Sequence, residues 1–213
     1  MHGAAGDTDS IMVRRVAVIF FRTLRIMGGT EGETTSMTAR QHQQRFESLL
    51  YEHRRIVFKV AGLYSRSAAD RDDLVQEIST QLWRSFGGYD EARAKFSTWM
   101  YRIALNVAIS QARRERWSEA DRFEPLEAHH LETVGGGEAI PEQDERLTAL
   151  YVFIGQLDPL NRALILLYLE DRNYTEMAEI LGISETNVAT KISRIKQKLR
   201  GQMTAVEITA ARA

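Results

Sequence analysis

The sequence has no cysteine. That excludes disulfides, thiolate zinc sites and thiol redox switches from this chain. It fits a reducing cytoplasm without requiring one. Proline is almost as scarce, at 3 in 213 residues, and β-branched runs are few. Both shortages point to a mainly helical protein, because proline breaks helices and β-branched runs favour strands. Long apolar runs are missing too. The most apolar early stretch, Met12 to Met27, is interrupted by Arg14, Arg15, Arg22 and Arg25. Its uncharged run, Val16 to Phe21, is far too short to cross a bilayer, so no membrane insertion is expected. It also lacks the small-residue cleavage site of a signal peptide. Two readings stand for it, an amphipathic helix on a membrane surface and a disordered extension, with Met37 as an alternative start.

The signatures of catalysis are also absent. There is no GxxxxGK[ST] phosphate loop and no nucleophile elbow. His42 and His53 have no carboxylate ladder of the kind that builds a di-metal bundle. His129 and His130 are adjacent, which is poor geometry for one metal. Asp73 and Glu77 pair at i, i+4 but lack histidines. No enzyme, catalytic residue, metal, cofactor or small-molecule substrate is expected.

What is present is segregated charge. The formal net charge of -1 conceals two basic segments around an acidic one. Arg93, Lys95, Arg102, Arg113, Arg114 and Arg116 against Glu115 give +5. Lys191, Arg194, Lys196, Lys198 and Arg200 give another +5. Between them, residues 118–145 sum to -8, with Arg122 the sole base. Two surfaces for a polyanion, joined by a segment that avoids it, would read this way. Solvated helix faces around an acidic linker would as well.

Helical spacing organises the rest. The first folded unit is expected from Thr38, with Phe46, Leu49, Leu50, His53, Val57, Val60 and Tyr64 in one stripe and a turn at Ser65 to Ala69. Asp70 is the expected N-cap of a second helix, with Asp72 and Asp73 favourable at its positive end. Its inner face carries Leu74, Val75, Ile78, Leu82 and Phe86, and Gly87-Gly88 ends it. Ser97 or Thr98 is the expected cap of a third helix with Met100, Ile103, Ala104, Val107 and Ala108 inward. Glycines 28, 29 and 32 should break any helix before Ser36. Trp117 to Pro141 has no sustained period, contains three consecutive glycines, and reads as a flexible acidic tether. A second unit begins near Glu142, with Leu147, Leu150, Tyr151, Ile154 and Leu157 inward. Asp158-Pro159 restarts the helix, and Leu160, Ala163, Leu164, Leu167 and Tyr168 continue the inner face.

The stretch NYTEMAEILGISETNVATKISRIKQKL, Asn173 to Leu199, carries the most information. Thr175 is the expected cap of a short helix holding Met177, Ala178, Ile180 and Leu181. Gly182 stands where a left-handed cap is needed, Ile183 plugs the corner, and Ser184 caps the last helix. There Val188, Ile192, Ile195 and Leu199 fall in a narrow arc. The opposite arc holds Thr186, Thr190, Arg194 and Gln197, with Asn187 and Lys191 alongside. That is a helix-turn-helix pattern, whose second helix offers polar residues to the major groove. Thr and Asn can meet base edges, and Arg can read guanine or grip phosphate. Lys191, Lys196, Lys198 and Arg200 would mostly neutralise phosphate. Two packed helices of an unrelated bundle would share the inner stripe. The small Ala178, the glycine turn and the one-sided stripe favour DNA.

Taken together, "DRDDLVQEISTQLWRSF" and "FSTWMYRIALNVAISQARRER" in the first half and "LDPLNRALILLYLEDRNYTEMAEILGISETNVATKISRIKQKLR" in the second resemble bacterial RNA polymerase sigma factors of the extracytoplasmic-function type, in the sigma-70 family. The resemblance covers about Arg40 to Arg116 and Glu142 to Met203. It implies an all-α protein of two helical domains, a region 2 three-helix bundle and a region 4 helix-turn-helix, joined by the acidic linker. The implied divisions are a disordered extension over 1–37, region 2 over 38–117, linker over 118–141, region 4 over 142–203 and a tail over 204–213.

The resemblance also implies partners. Asp73, Gln76 and Glu77 match the polar face that docks on core RNA polymerase, and exposed carboxylates suit a basic partner, although solubility alone would explain them. Tyr89, Asp90 and Lys95 match the loop that captures a flipped base of the −10 promoter element. Arg102, Asn106, Arg113 and Arg114 match the helix that holds the non-template strand. Trp99 is either a stacking platform or a core residue. The −35 contacts would be Thr186, Asn187, Thr190, Lys191 and Arg194. Ser110 stands where the family often has Asp, so a role that needs a carboxylate there does not carry over, while the fold is unaffected; Ala189 stands where a basic residue is frequent in the recognition helix, so the −35 preference does not transfer. An anti-sigma factor and a cytoplasmic, nucleoid-associated location, with the anti-sigma factor as a membrane tether, complete the implications. The alternative is a helix-turn-helix regulator with a helical sensor domain.

Overall fold

The computed structural model describes residues 33–118 and 145–210, with side chains described within 39–114 and 150–202. Among these residues every element is a helix, and none is long and apolar enough to cross a membrane. The helices are α1 (Glu33–Tyr64), α2 (Ala68–Phe86), α3 (Phe96–Ser118), α4 (Glu145–Gln156), α5 (Pro159–Leu169), α6 (Tyr174–Leu181) and α7 (Glu185–Ala210). The apolar stretch Met12 to Met27, the bulk of the acidic tether and the His129-His130 pair lie outside the described residues.

Several boundaries differ from expectation. Helix α1 is described from Glu33, so residues 33–36 are already helical ahead of Thr38, and Gly28, Gly29 and Gly32 lie outside the described residues. Helix α7 runs on through Ala210 into the stretch expected as a tail. Helix α3 starts at Phe96 rather than after a Ser97 or Thr98 cap. The Trp99 amide already bonds the Lys95 carbonyl at 3.1 Å, and Thr98 is buried.

Two caps also move, for one shared reason. Ser67, not Asp70, caps α2. Its hydroxyl accepts from the Asp70 amide, and the Asp70 carboxylate accepts from the Ser67 amide, each at 3.1 Å. Asn173, not Thr175, caps α6, accepting from the Glu176 amide at 2.8 Å while Glu176 accepts from the Asn173 amide at 3.2 Å. A reciprocal box satisfies two otherwise orphaned amides, and a lone cap satisfies one. The expected Asp158 cap with Pro159 at the first position of α5 is present, as is Ser184 accepting from the Asn187 amide.

The first module packs α1, α2 and α3 against one another. Phe46, Leu50, Val57, Val60, Leu74, Ile78, Leu82, Phe86, Met100 and Ala104 fill its core. One end is aromatic: Phe86, Tyr89, Phe96 and Trp99 have ring centroids 5.1–6.3 Å apart, at offset and edge geometries that favour attraction. Those rings anchor the Gly87–Lys95 loop from below. Trp99 is half-buried among them and packs against the core.

The second module packs α4, α5 and α6 around α7. Helix α5 buries five consecutive residues, Ala163 to Leu167, where the spacing led us to expect one face. A helix buried on all sides has neighbours on all sides. The extra neighbour is α3 of the first module, which packs against both α5 and α6.

The seam between the modules is polar and specific. Tyr101 is fully buried, its hydroxyl 3.2 Å from Glu170 Oε2 and its ring 5.4 Å from the Arg172 guanidinium. Lys59 Nζ reaches Glu170 Oε1 at 2.5 Å. The Tyr64 hydroxyl donates to the Pro159 carbonyl at 2.6 Å, and Arg162 donates to the Leu63 carbonyl at 3.1 Å. Burial pushes the phenols of Tyr64 and Tyr101 well above their ordinary pKa, and the Glu170 carboxylate adds to the rise at Tyr101. Asp171 holds a positive φ of 54° in the α5–α6 turn, with the Arg172 amide bonded back to the Leu167 carbonyl at 3.0 Å. This tight turn lies between Glu170 and Arg172, the two residues that reach Tyr101.

Candidate nucleic-acid interface

The helix-turn-helix is built from α6 and α7. Gly182 adopts φ 65°, ψ 35°, the left-handed cap expected of it, and the Ile183 amide bonds back to the Ala178 carbonyl at 3.2 Å. On α7, Val188, Ile192 and Ile195 are buried and Leu199 packs beside them. With those side chains inward, Thr186, Asn187, Thr190 and Arg194 are exposed and Lys191 is half-buried. The Thr190 hydroxyl donates to the Thr186 carbonyl at 2.8 Å, leaving its lone pairs to accept from a base or a water. Lys196 sits 4.0 Å over the Tyr168 ring, a cation–π contact that holds it close to the module. Lys198 and Arg200 are exposed on the same helix.

In the first module the loop after α2 is internally tied. Asp90 accepts from the Ala92 amide at 2.9 Å, pairs with Arg93 at 3.5 Å, and offers its carbonyl to the Arg93 amide at 3.1 Å. Its carboxylate therefore shapes the loop. Tyr89 is half-buried, with its hydroxyl bonded to the Ala94 carbonyl at 3.2 Å. Burial, followed by the charge of Glu91, raises its phenol above the ordinary value. Arg45 pairs with Glu91 and tethers the loop to α1. Lys95 is exposed at the loop's end.

On α3, Asn106, Arg113 and Arg114 are exposed and line a groove of about 560 Å³ between α2 and α3. Glu77 and Gln81 form its other wall, and Ser110 lies in it. Residues that the sequence assigned to two separate surfaces thus meet here: Glu77 from the polymerase set faces Asn106, Arg113 and Arg114 from the −10 set. Asp73 and Gln76 are exposed on α2 but do not line the groove. Arg102 stands apart. Its guanidinium donates to the Glu179 carbonyl of α6 at 2.7 Å, across the seam.

Sequence reasoning missed the seam residues Lys59, Tyr101, Arg162 and Glu170. The one local signal was Tyr101 itself, a large aromatic just off the expected inner stripe of α3.

Comparison with known proteins places these modules. The family model described as Sigma-70 region 2 matches residues 49–118, and that described as Sigma-70, region 4 matches residues 147–199. The ECF RNA polymerase sigma-E factor of Escherichia coli K12 is 30% identical over 162 residues, covering 70% of this chain and 80% of that protein. The ECF RNA polymerase sigma factor SigE of Mycolicibacterium smegmatis is 30% identical over 160 residues, covering 73% of this chain and 60% of that one, so this chain spans less than two thirds of that relative. Among solved structures, the sigma factor RpoE in complex with the anti-sigma factor NepR from Bartonella quintana has a TM-score of 0.55 at 18% identity, covering 76% of this chain and 96% of that one. CnrH in complex with the cytosolic domain of CnrY has a TM-score of 0.53 at 20% identity, covering 91% and 97%. At these identities the structural likeness is one of fold.

Proposed function

We propose, since this chain belongs to the extracytoplasmic-function group of the sigma-70 family, that it is a dissociable promoter-specificity subunit of bacterial RNA polymerase. The observation that carries the proposal is the pairing of two modules in family order, the second with an exposed polar row over the buried stripe Val188, Ile192 and Ile195. A free-standing helix-turn-helix regulator would leave the region 2 module without a role.

In this reading residues 38–117 bind core polymerase and −10 DNA, and residues 142–203 bind −35 duplex. Asp73, Gln76 and Glu77 meet the polymerase. Thr186, Asn187, Thr190, Lys191 and Arg194 enter the −35 major groove, where the hydroxyl, amide and guanidinium groups suit base edges and phosphate. Tyr89, Asp90, Lys95, Arg102, Asn106, Arg113 and Arg114 receive the −10 strand. Flipping a base costs a few kcal/mol of unstacking, which a basic groove and an aromatic-backed loop can offset. The energy for melting comes from binding, and the chain itself performs no covalent chemistry. It works in the cytoplasm, at the nucleoid when active. The solved relatives in complex with NepR and CnrY support an anti-sigma partner here, one that can also hold the factor at the membrane.

The test is run-off transcription with sigma-free core polymerase over a library of genomic fragments. Discrete start sites sharing −35 and −10 sequences are expected. Transcription no different from core alone, from a chain that co-migrates with core on gel filtration, would refute the proposal.

A further inference from the structure

The loop between α2 and α3, Gly87 to Lys95, is given the capture of a −10 base by the proposed function, so whatever fixes it in place bears on that capture. Its own polar ties are short. Asp90 bonds Ala92 and Arg93, and the Tyr89 hydroxyl bonds the Ala94 carbonyl only five positions on. Ties of that span shape a loop but do not place it on the body of a module. The Tyr89 ring packs on Phe86, Phe96 and Trp99, which belong to the loop's own flanks. Arg45 on α1 is different, because it reaches Glu91 from 46 positions away.

Arg45 stands on a firm base. Its neighbour Phe46 is fully buried, with its ring centroid 5.2 Å from that of Trp83 and 5.0 Å from that of Phe86. Phe86 ends α2 immediately before the loop. The helix that carries Arg45 is thus fixed against the residue from which the loop departs. The pair also lies close to a capture residue: burial is the main cause of the raised Tyr89 phenol, Glu91 adds to it and Arg45 opposes it. Both loop carboxylates have a cation beside them, Arg93 at Asp90 and Arg45 at Glu91. An unpaired carboxylate there would repel a strand of phosphates.

We propose that Arg45 is a positioning residue for −10 capture: through Glu91 it latches the loop to α1 in the form that receives the base. It acts through Glu91 rather than on DNA. The inference rests on the −10 role assigned to the loop above. The pair's side chains are 56% and 61% exposed, so it adds little to the stability of the module as a whole. Its effect falls on the fraction of loops in the receptive form, and apparent strand affinity scales with that fraction. An exposed pair of this kind shifts such an equilibrium by up to about fivefold.

Variants of the full chain separate this latch from charge alone: Arg45→Ala, Glu91→Gln, and the exchanged pair Arg45→Glu with Glu91→Arg. Hydrogen exchange over residues 87–95 reads the loop directly. Exchange should quicken in both single variants and return toward the unsubstituted rate in the exchanged pair. Promoter opening is read with core polymerase present, as permanganate reactivity of −10 thymines in a promoter found by run-off transcription. It should fall by up to about fivefold in both single variants and recover in the exchanged pair. Glu91→Gln is the decisive variant. It removes a negative charge beside a polyanion, so simple repulsion predicts better opening and the latch predicts worse. Unchanged loop exchange, or opening by Glu91→Gln equal to or above that of the unsubstituted chain, would overturn the latch. Failure of the proposed function registers separately, as absent run-off transcription by the unsubstituted chain, because loop exchange reports the latch whatever the module binds.

Discussion

Gly182→Ala tests the turn on which the helix-turn-helix depends. At φ 65° an L-residue sets its Cβ against the following carbonyl, a cost of about 1–2 kcal/mol. A Cβ built at Gly182 meets no atom within 4 Å, so no steric cost adds to the backbone strain. Alanine also restricts the unfolded chain, which returns about 0.4–1 kcal/mol where the backbone tolerates it. A net loss of about 1 kcal/mol follows. For a module of this size that lowers Tm by about 4–8 °C. Urea denaturation followed by circular dichroism should show a reduced midpoint at unchanged slope, since the surface exposed on unfolding stays the same. Gly182→Asn should lose less, because asparagine tolerates the left-handed region. A neutral or stabilised alanine variant would refute the left-handed turn. A loss above about 3 kcal/mol would refute the open space around it.

Ile192→Ala removes a fully buried side chain beneath the recognition row and should cost about 2–5 kcal/mol, read as a shifted urea midpoint, with duplex binding lost in step with folding. Arg194→Ala should weaken promoter-dependent transcription and lower the salt dependence of −35 duplex binding by about one counterion, with core binding intact; Asp73→Arg should do the reverse, reducing co-migration with core polymerase on gel filtration. The seam phenols set an alkaline limit. Tyr64 and Tyr101 keep their protons in the fold to higher pH than in the unfolded chain, where the phenol titrates near 10. Above about pH 10 the unfolded state therefore binds fewer protons, and the seam's contribution falls by about 1.4 kcal/mol per pH unit for each phenol. Tyr64 is faced by Asp158 and Arg162, and Tyr101 by Glu170 and Arg172. A Tyr64→Phe, Tyr101→Phe double variant should show a shallower loss between pH 10 and 11 in parallel melts, and equal slopes would contradict the assignment.

Much of this chain is legible without coordinates, because its information is local. An apolar stripe at helical spacing needs only its neighbours three and four positions away, so the inner faces of α2 and α7 and the order of the helices could be read directly. Gly182 and Asp158-Pro159 were equally plain, since each answers a backbone requirement within one turn. Caps were harder. Near Ser67 and near Asn173 several polar residues compete within a few positions, and the choice goes to whichever pair can close a reciprocal box.

What local pattern determined, then, was two helical modules and the polar row that the second one exposes. What tertiary structure alone decided was that α3 buries Tyr101 and Leu105, that α5 buries five residues in a row, and that Arg102 is held by α6. Periodicity cannot distinguish a face turned to solvent from one covered by a distant part of the chain. The contact between Lys59 and Glu170 joins residues 111 positions apart. Its existence depends on where two modules come to rest against each other, and a helical repeat a few residues long carries no record of that.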